Sequence, residues 1–182
     1  MGTTERISIS INEDSKRKLE SLRRKSNVST SECIRHLIEL GYSLFRESDV
    51  DQETLTAWVE MLSKREHVIL DTDYLKVIFS EIEKIKDERF WKEVRKVAAS
   101  HAVEFLVRGL NSVEDVLKLM EKTNWFEVKK ISEKTYSLIL IDSSTKEFIK
   151  ISLEVIFQKM RFPVKIEEGY GKLVIVDLSS NE

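Results

Sequence analysis

From Arg6 to Ile11 apolar and polar residues alternate strictly, Arg-Ile-Ser-Ile-Ser-Ile. A period of two predicts a β-strand with Ile7, Ile9 and Ile11 on one face and Arg6, Ser8 and Ser10 on the other. At Asn12 the pattern changes. Asn12 suits the N-cap of a helix, and Glu13 and Asp14 follow where a helix favours negative charge. Leu19 and Leu22 form a sparse apolar stripe, Arg23-Arg24-Lys25 load the C-terminal end, and Ser26-Asn27 stops the helix because Asn tolerates a left-handed backbone. Ser29-Thr30-Ser31-Glu32 then reads as an S-x-x-E capping box, with Val28 as its hydrophobic staple. Ile34, Leu37, Ile38, Gly41 and Phe45 continue at helical spacing, and Leu40 and Leu44 widen the stripe.

The apolar period lapses over Arg46–Asp51, which predicts a boundary between a domain at 1–48 and a second at 49–182. Beyond it, helices are expected at about 52–64, 73–86 (Leu75, Ile78, Phe79, Ile82, Ile85), 87–108 and 112–122. Strand patterns follow at 125–131 and 136–141, a helix at 145–160, and strands at 163–166 and 172–177 around Gly169-Tyr170-Gly171. The expected class is α+β: a strand-helix-helix start, then a helix-rich domain with a four-stranded antiparallel sheet in ββαββ order.

The first ~45 residues cannot form a core alone, because a short strand carrying three isoleucines needs a partner strand. Two chains pairing their strands antiparallel across a twofold axis would bury Ile7, Ile9 and Ile11 against four helices, with Leu37 completing the dimer core. Arg6, Ser8 and Ser10 would then face outward from both chains. On the stretches Arg6–Asn12 and Asn27–Ile34, residues 4–45 resemble the ribbon-helix-helix family of Arc, MetJ and CopG-like repressors. The resemblance implies a homodimer that inserts its two-stranded ribbon into the major groove of double-stranded DNA at a palindromic operator. It assigns base reading to Arg6, Ser8 and Ser10, and phosphate binding to the amides near Ser29, Thr30 and Ser31. Arg can grip guanine O6 and N7, Ser meets several base edges, and amides at a helix start suit an anion. The family commonly has Gly where this chain has Asn27.

Charge modifies this picture only mildly. The 182-residue chain carries a net charge of −2, but residues 1–48 hold nine Lys/Arg against seven Asp/Glu, leaving −4 on the remainder. A modestly basic module joined to an acidic one is compatible with DNA binding, since only the docking face must be positive. With 41% hydrophobic and 34% charged residues the chain is expected to fold as a soluble protein. No apolar run approaches the ~20 residues of a membrane span, and Met1–Arg6 carries no export signal. A single cysteine, Cys33, precludes an internal disulfide and accords with a reducing cytoplasm.

Candidate chemistry in the second domain is thin. His101 sits in an apolar helical stripe where a haem or metal ligand could stand, but a buried, hydrogen-bonded core histidine is the expected role. His36, His67 and His101 form no metal-ligand spacing, and Cys33 is expected to be a reduced, partly buried thiol. Trp58, Trp91 and Trp125 read as core, and Asp71 and Asp73 as a helix cap. No P-loop, G-x-S-x-G or G-x-G-x-x-G occurs, so neither an enzyme nor a cofactor is expected. In element order alone, without a shared residue motif, the domain resembles sensor domains related to vinyl-reductase-type and haem-nitric-oxide-binding proteins. The expected function is a transcription regulator, a repressor, whose second domain senses an unidentified small-molecule effector or builds a higher oligomer such as a tetramer. Two alternatives use the same start: an antitoxin, whose tail would order on its toxin, and a scaffold that uses the module only to dimerise.

Overall fold

The computed structural model describes residues 5–46, 50–65, 67–85 and 87–180. The chain divides into two compact units, Met1–Asp51 and Gln52–Glu182. The expected boundary stretch runs partly through residues 47–49, and the Met1–Thr4 start also lies outside the described residues, as does the side chain of Ile85. The class is α+β, with seven α-helices and one four-stranded antiparallel sheet among the described residues.

The first unit holds α1 (Glu13–Ser26) and α2 (Thr30–Phe45). Asn12 Oδ1 accepts from Ser15 N–H at 2.8 Å and starts α1. Asn27 ends it in the left-handed region (φ 53°, ψ 46°), with its N–H donating to the Arg23 and Arg24 carbonyls. Ser29 Oγ accepts from Glu32 N–H at 3.2 Å and opens α2. The capping box is only half made: the Glu32 carboxylate turns instead to Arg35 and to His36, 3.0 Å away. One expectation is corrected here. Residues 5–12 form no strand in this chain, and all four described strands belong to the second unit. A lone extended segment has no ladder to satisfy its amides and carbonyls, so the strand cannot exist without a second backbone beside it.

The second unit begins with α3 (Gln52–Ser63), α4 (Thr72–Ile85), α5 (Glu88–Val107) and α6 (Val113–Glu121). Asp71 Oδ1 caps α4 by accepting from Asp73 N–H at 2.8 Å. Strands β1 (Phe126–Ser132) and β2 (Thr135–Leu140) form a hairpin, a 3-10 turn (Ser143–Thr145) leads into α7 (Lys146–Met160), and β3 (Val164–Gly169) and β4 (Lys172–Asp177) form a second hairpin. The hairpins join through their second strands, so the sheet order is β1-β2-β4-β3, antiparallel throughout. Leu138 pairs with Val128 on one side and Leu173 on the other, and Tyr136 pairs with Ile175, which aligns the apolar positions of each strand on one face. On the sheet, α6 packs against β1 and α7 against β3 and β4, while α5 lies along α7. The core gathers Ala98, Ala102, Val116, Leu117, Leu138, Leu153, Phe157, Leu173 and Ile175, all almost fully buried. Ala98 and Ala102 stand one turn apart on α5, and such small residues let α5 lie close along α7.

Candidate nucleic-acid interface

In the first unit the two helices are strongly amphipathic, yet Cys33 is the only buried residue among those described. Ile7, Ile9 and Ile11 are 78%, 65% and 45% exposed, and Leu22, Leu37, Ile38, Leu40, Tyr42, Leu44 and Phe45 are exposed as well. A patterned apolar surface of this extent is unusual on so small a unit and is typical of interaction surfaces. Arg6, Ser8 and Ser10 are also exposed, so the residues expected to read bases and those expected to form a dimer core both face solvent in the single chain.

At the start of α2, Cys33 N–H donates to Ser29 O at 2.9 Å and Glu32 N–H to the Ser29 hydroxyl. The amides of Ser29, Thr30 and Ser31 stand ahead of that first helical bond, where a helix N-terminus offers donors and a positive dipole end. All three residues are exposed. Arg35 pairs with Glu32, whose carboxyl it holds below the usual carboxylate range. Along α1, Asp14 takes Arg17 at 3.2 Å and Lys18 at 2.7 Å.

Cys33 is a free, buried cysteine, more enclosed than the partly buried thiol expected. His101 departs from expectation more clearly. Its side chain is 41% exposed, with Nδ1 3.7 Å from Glu104 Oε2, so it is not a buried core histidine. The fold brings it beside His67, with ring centroids 6.4 Å apart, although the two are 34 positions apart in sequence. Both line a cavity in the second unit, as does Trp125, which also stacks on Phe148 at 5.5 Å. No motif or ligand spacing in the sequence marks this grouping. The one available signal was the placement of His101, Glu104 and Arg108 on one side of α5, an i, i+3, i+7 set interrupting an apolar stripe. Among the described residues no group of three or more His, Cys, Asp or Glu side chains could hold a metal ion. None of the described helices is long and apolar enough to cross a membrane.

Residue order, helix caps and exposed apolar residues describe the first unit as an extended segment followed by two capped amphipathic helices. Residues 5–43 match the family described as ribbon-helix-helix protein, copG family. The match covers most of the first unit and none of the second. No curated protein and no solved structure matches the chain.

Proposed function

We propose that this chain is a sequence-specific DNA-binding transcription regulator, a cytoplasmic repressor working as a homodimer. The observation that carries the reading is the family match over residues 5–43, on a unit whose apolar residues lie uncovered. Two copies of residues 6–11 pair antiparallel, turn Ile7, Ile9 and Ile11 inward beside Leu37, and present Arg6, Ser8 and Ser10 to base edges in the major groove. The amides at Ser29, Thr30 and Ser31 seat a phosphate on each side and fix the register of the ribbon. The second unit does no chemistry in this reading. It senses a small molecule or joins dimers into tetramers.

Selection from a random duplex pool tests the proposal. The expected product is a palindromic site bound with affinity that falls steeply with salt, because phosphate neutralisation releases counterions. Equal binding to every duplex, or none, overturns it. An antitoxin would share the first unit but keep its remainder unfolded until a toxin arrives. The compact second unit with its own core supports the regulator reading instead. Limited proteolysis separates them: a resistant fragment spanning Gln52–Glu182 is expected, whereas rapid loss of that half would favour the antitoxin.

A further inference from the structure

On α4 the apolar positions outrun the packing they find. At 3.6 residues per turn, Tyr74, Leu75, Val77, Ile78, Phe79 and Ile82 spread over about 200° of the helix surface, about twice the stripe that one packed face requires. Asp73, Lys76, Ser80, Glu83 and Lys84 occupy the opposite side, and Glu81 alone interrupts the apolar arc. Only one edge of the arc is used. Phe79 is buried, meeting the Trp125 and Phe148 rings edge-on with centroids 6.0 and 5.3 Å away, and Leu75 and Ile82 beside it are partly covered. Tyr74, Val77 and Ile78, on the other edge, are exposed. So are Val68, Ile69 and Leu70, the three residues that lead into the Asp71 cap.

The six residues together leave nearly four whole side chains uncovered within eleven positions of the chain. At roughly 150–200 Å² for a large apolar residue, that is about 600–800 Å² per copy, close to the ~800 Å² each partner contributes to a standard specific interface. Asp71, Asp73, Glu81 and Glu83 stand around this surface, so a nucleic acid is the wrong partner for it. A second α4 running the opposite way is the right one. Each acidic start, Asp71 and Asp73, then lies beside the other helix's basic end at Lys84, and the two helix dipoles oppose. With the twofold axis between Val77 and Ile78, Val77 of one copy meets Ile78 of the other, and Tyr74 stands opposite Glu81. That register also gives the one interrupting carboxylate a role. Glu81, held by Lys84 at 2.6 Å, accepts from the Tyr74 hydroxyl of the second copy.

We infer that the uncovered edge of α4, extended by Val68, Ile69 and Leu70, is an interface between two copies of this chain, in which their α4 helices pack antiparallel across a twofold axis. Such an interface is self-complementary, the same patch serving both partners. Charge sets the direction of the pair and the apolar residues its strength. The inference names the surface behind the oligomer-building role proposed for the second unit, and rests on that role.

Sedimentation of the full chain carrying Ile9→Glu tests it, because that substitution removes the proposed ribbon contact and leaves α4 as the means of association. The expected species is a dimer of about 43 kDa, twice the 21.3 kDa of one chain. Adding Val77→Glu should halve that mass. Val77 is exposed in the single chain, so the variant should keep its helical circular dichroism. A second measurement keeps the ribbon intact. Chains carrying Tyr74→Cys and chains carrying Glu81→Cys, mixed and mildly oxidised, should link to each other several-fold faster than either links to itself or to the unmodified chain. An Ile9→Glu chain that is monomeric at every concentration overturns the inference and leaves the surface to a different partner. A dimer that persists with Val77→Glu, or cysteine pairs that link without preference, overturns it as well. DNA binding by the Val77→Glu chain at a single palindromic site should be unchanged, so failure at α4 is distinguishable from failure of the DNA-binding reading.

Discussion

At Asn27 the backbone must turn left-handed within a single residue, and that requirement makes the position a sensitive reporter on the helix-turn-helix geometry. Ala carries the Cβ penalty of that region without the polar side chain that eases it, so Asn27→Ala should destabilise the protein by about 1 kcal/mol while Asn27→Gly stays neutral or gains slightly. Urea midpoints of the two variants check this; equal midpoints would mean the turn relaxes to another conformation. Two residues later, Ser29 serves the fold and the proposed phosphate contact together, so Ser29→Ala would confuse the two. Asp is as good an N-cap as Ser but sets a negative charge against the phosphate. Ser29→Asp should therefore keep the unfolding midpoint and weaken binding to all duplexes alike. Arg6→Ala should instead cost about 1–3 kcal/mol at the preferred site only, flattening the difference between sites. Binding assays on selected and scrambled duplexes distinguish these patterns, and the base-reading role fails if Arg6→Ala lowers both affinities equally.

Between elements, the most instructive joint is Glu114 on α6. Its carboxylate takes Lys118 at 2.7 Å, Lys130 of β1 at 2.6 Å and the Tyr136 hydroxyl of β2 at 3.2 Å, tying a helix to two strands. Hydrogen bonds from Lys118 and Lys130 pull its pKa down to about 2, and burial pushes the Tyr136 hydroxyl up to about 12. A carboxyl depressed in the folded state contributes stability that is full above its ordinary pKa of 4.5 and lost as pH falls towards 2. Glu114→Gln should thus lower the urea midpoint at pH 7, with the deficit shrinking between pH 4.5 and pH 2; a deficit independent of pH would show that shape, not charge, matters there. Helices and strands of this unit were readable because each carries a clean period over many residues, as α6 does with Val113, Val116 and Leu117 on one face. The order in which hairpins join was not, since nothing in β2 or β4 states that Leu138 will face Leu173 rather than a residue of β3. The cavity was hidden for a similar reason. His67 lies in the connection between α3 and α4, outside any periodic pattern, and only packing brings it to His101.

For the whole molecule the decisive quantity is the apolar surface that Met1–Asp51 leaves uncovered. Exposure of Ile7, Ile9 and Ile11 amounts to nearly two whole isoleucine side chains per chain. Covering four in a pair would contribute about 6–12 kcal/mol, against an association cost of about 4–15 kcal/mol. The ribbon alone therefore roughly breaks even, and a stable dimer needs the α2 stripe of Leu37, Ile38, Leu40 and Phe45 to be covered as well. On the proposed reading the first unit would fold only as a dimer, whereas the second unit has a core of its own. Two unfolding transitions are expected, and the one belonging to the first unit should move to higher temperature as protein concentration rises, as mass action demands of an obligate dimer. Ile9→Glu buries a charge at the twofold axis and should abolish that transition together with DNA binding, leaving the circular dichroism and unfolding of Gln52–Glu182 intact. A first transition that ignores both concentration and Ile9→Glu would mean residues 5–46 fold without a second copy, and the ribbon would lose its physical basis.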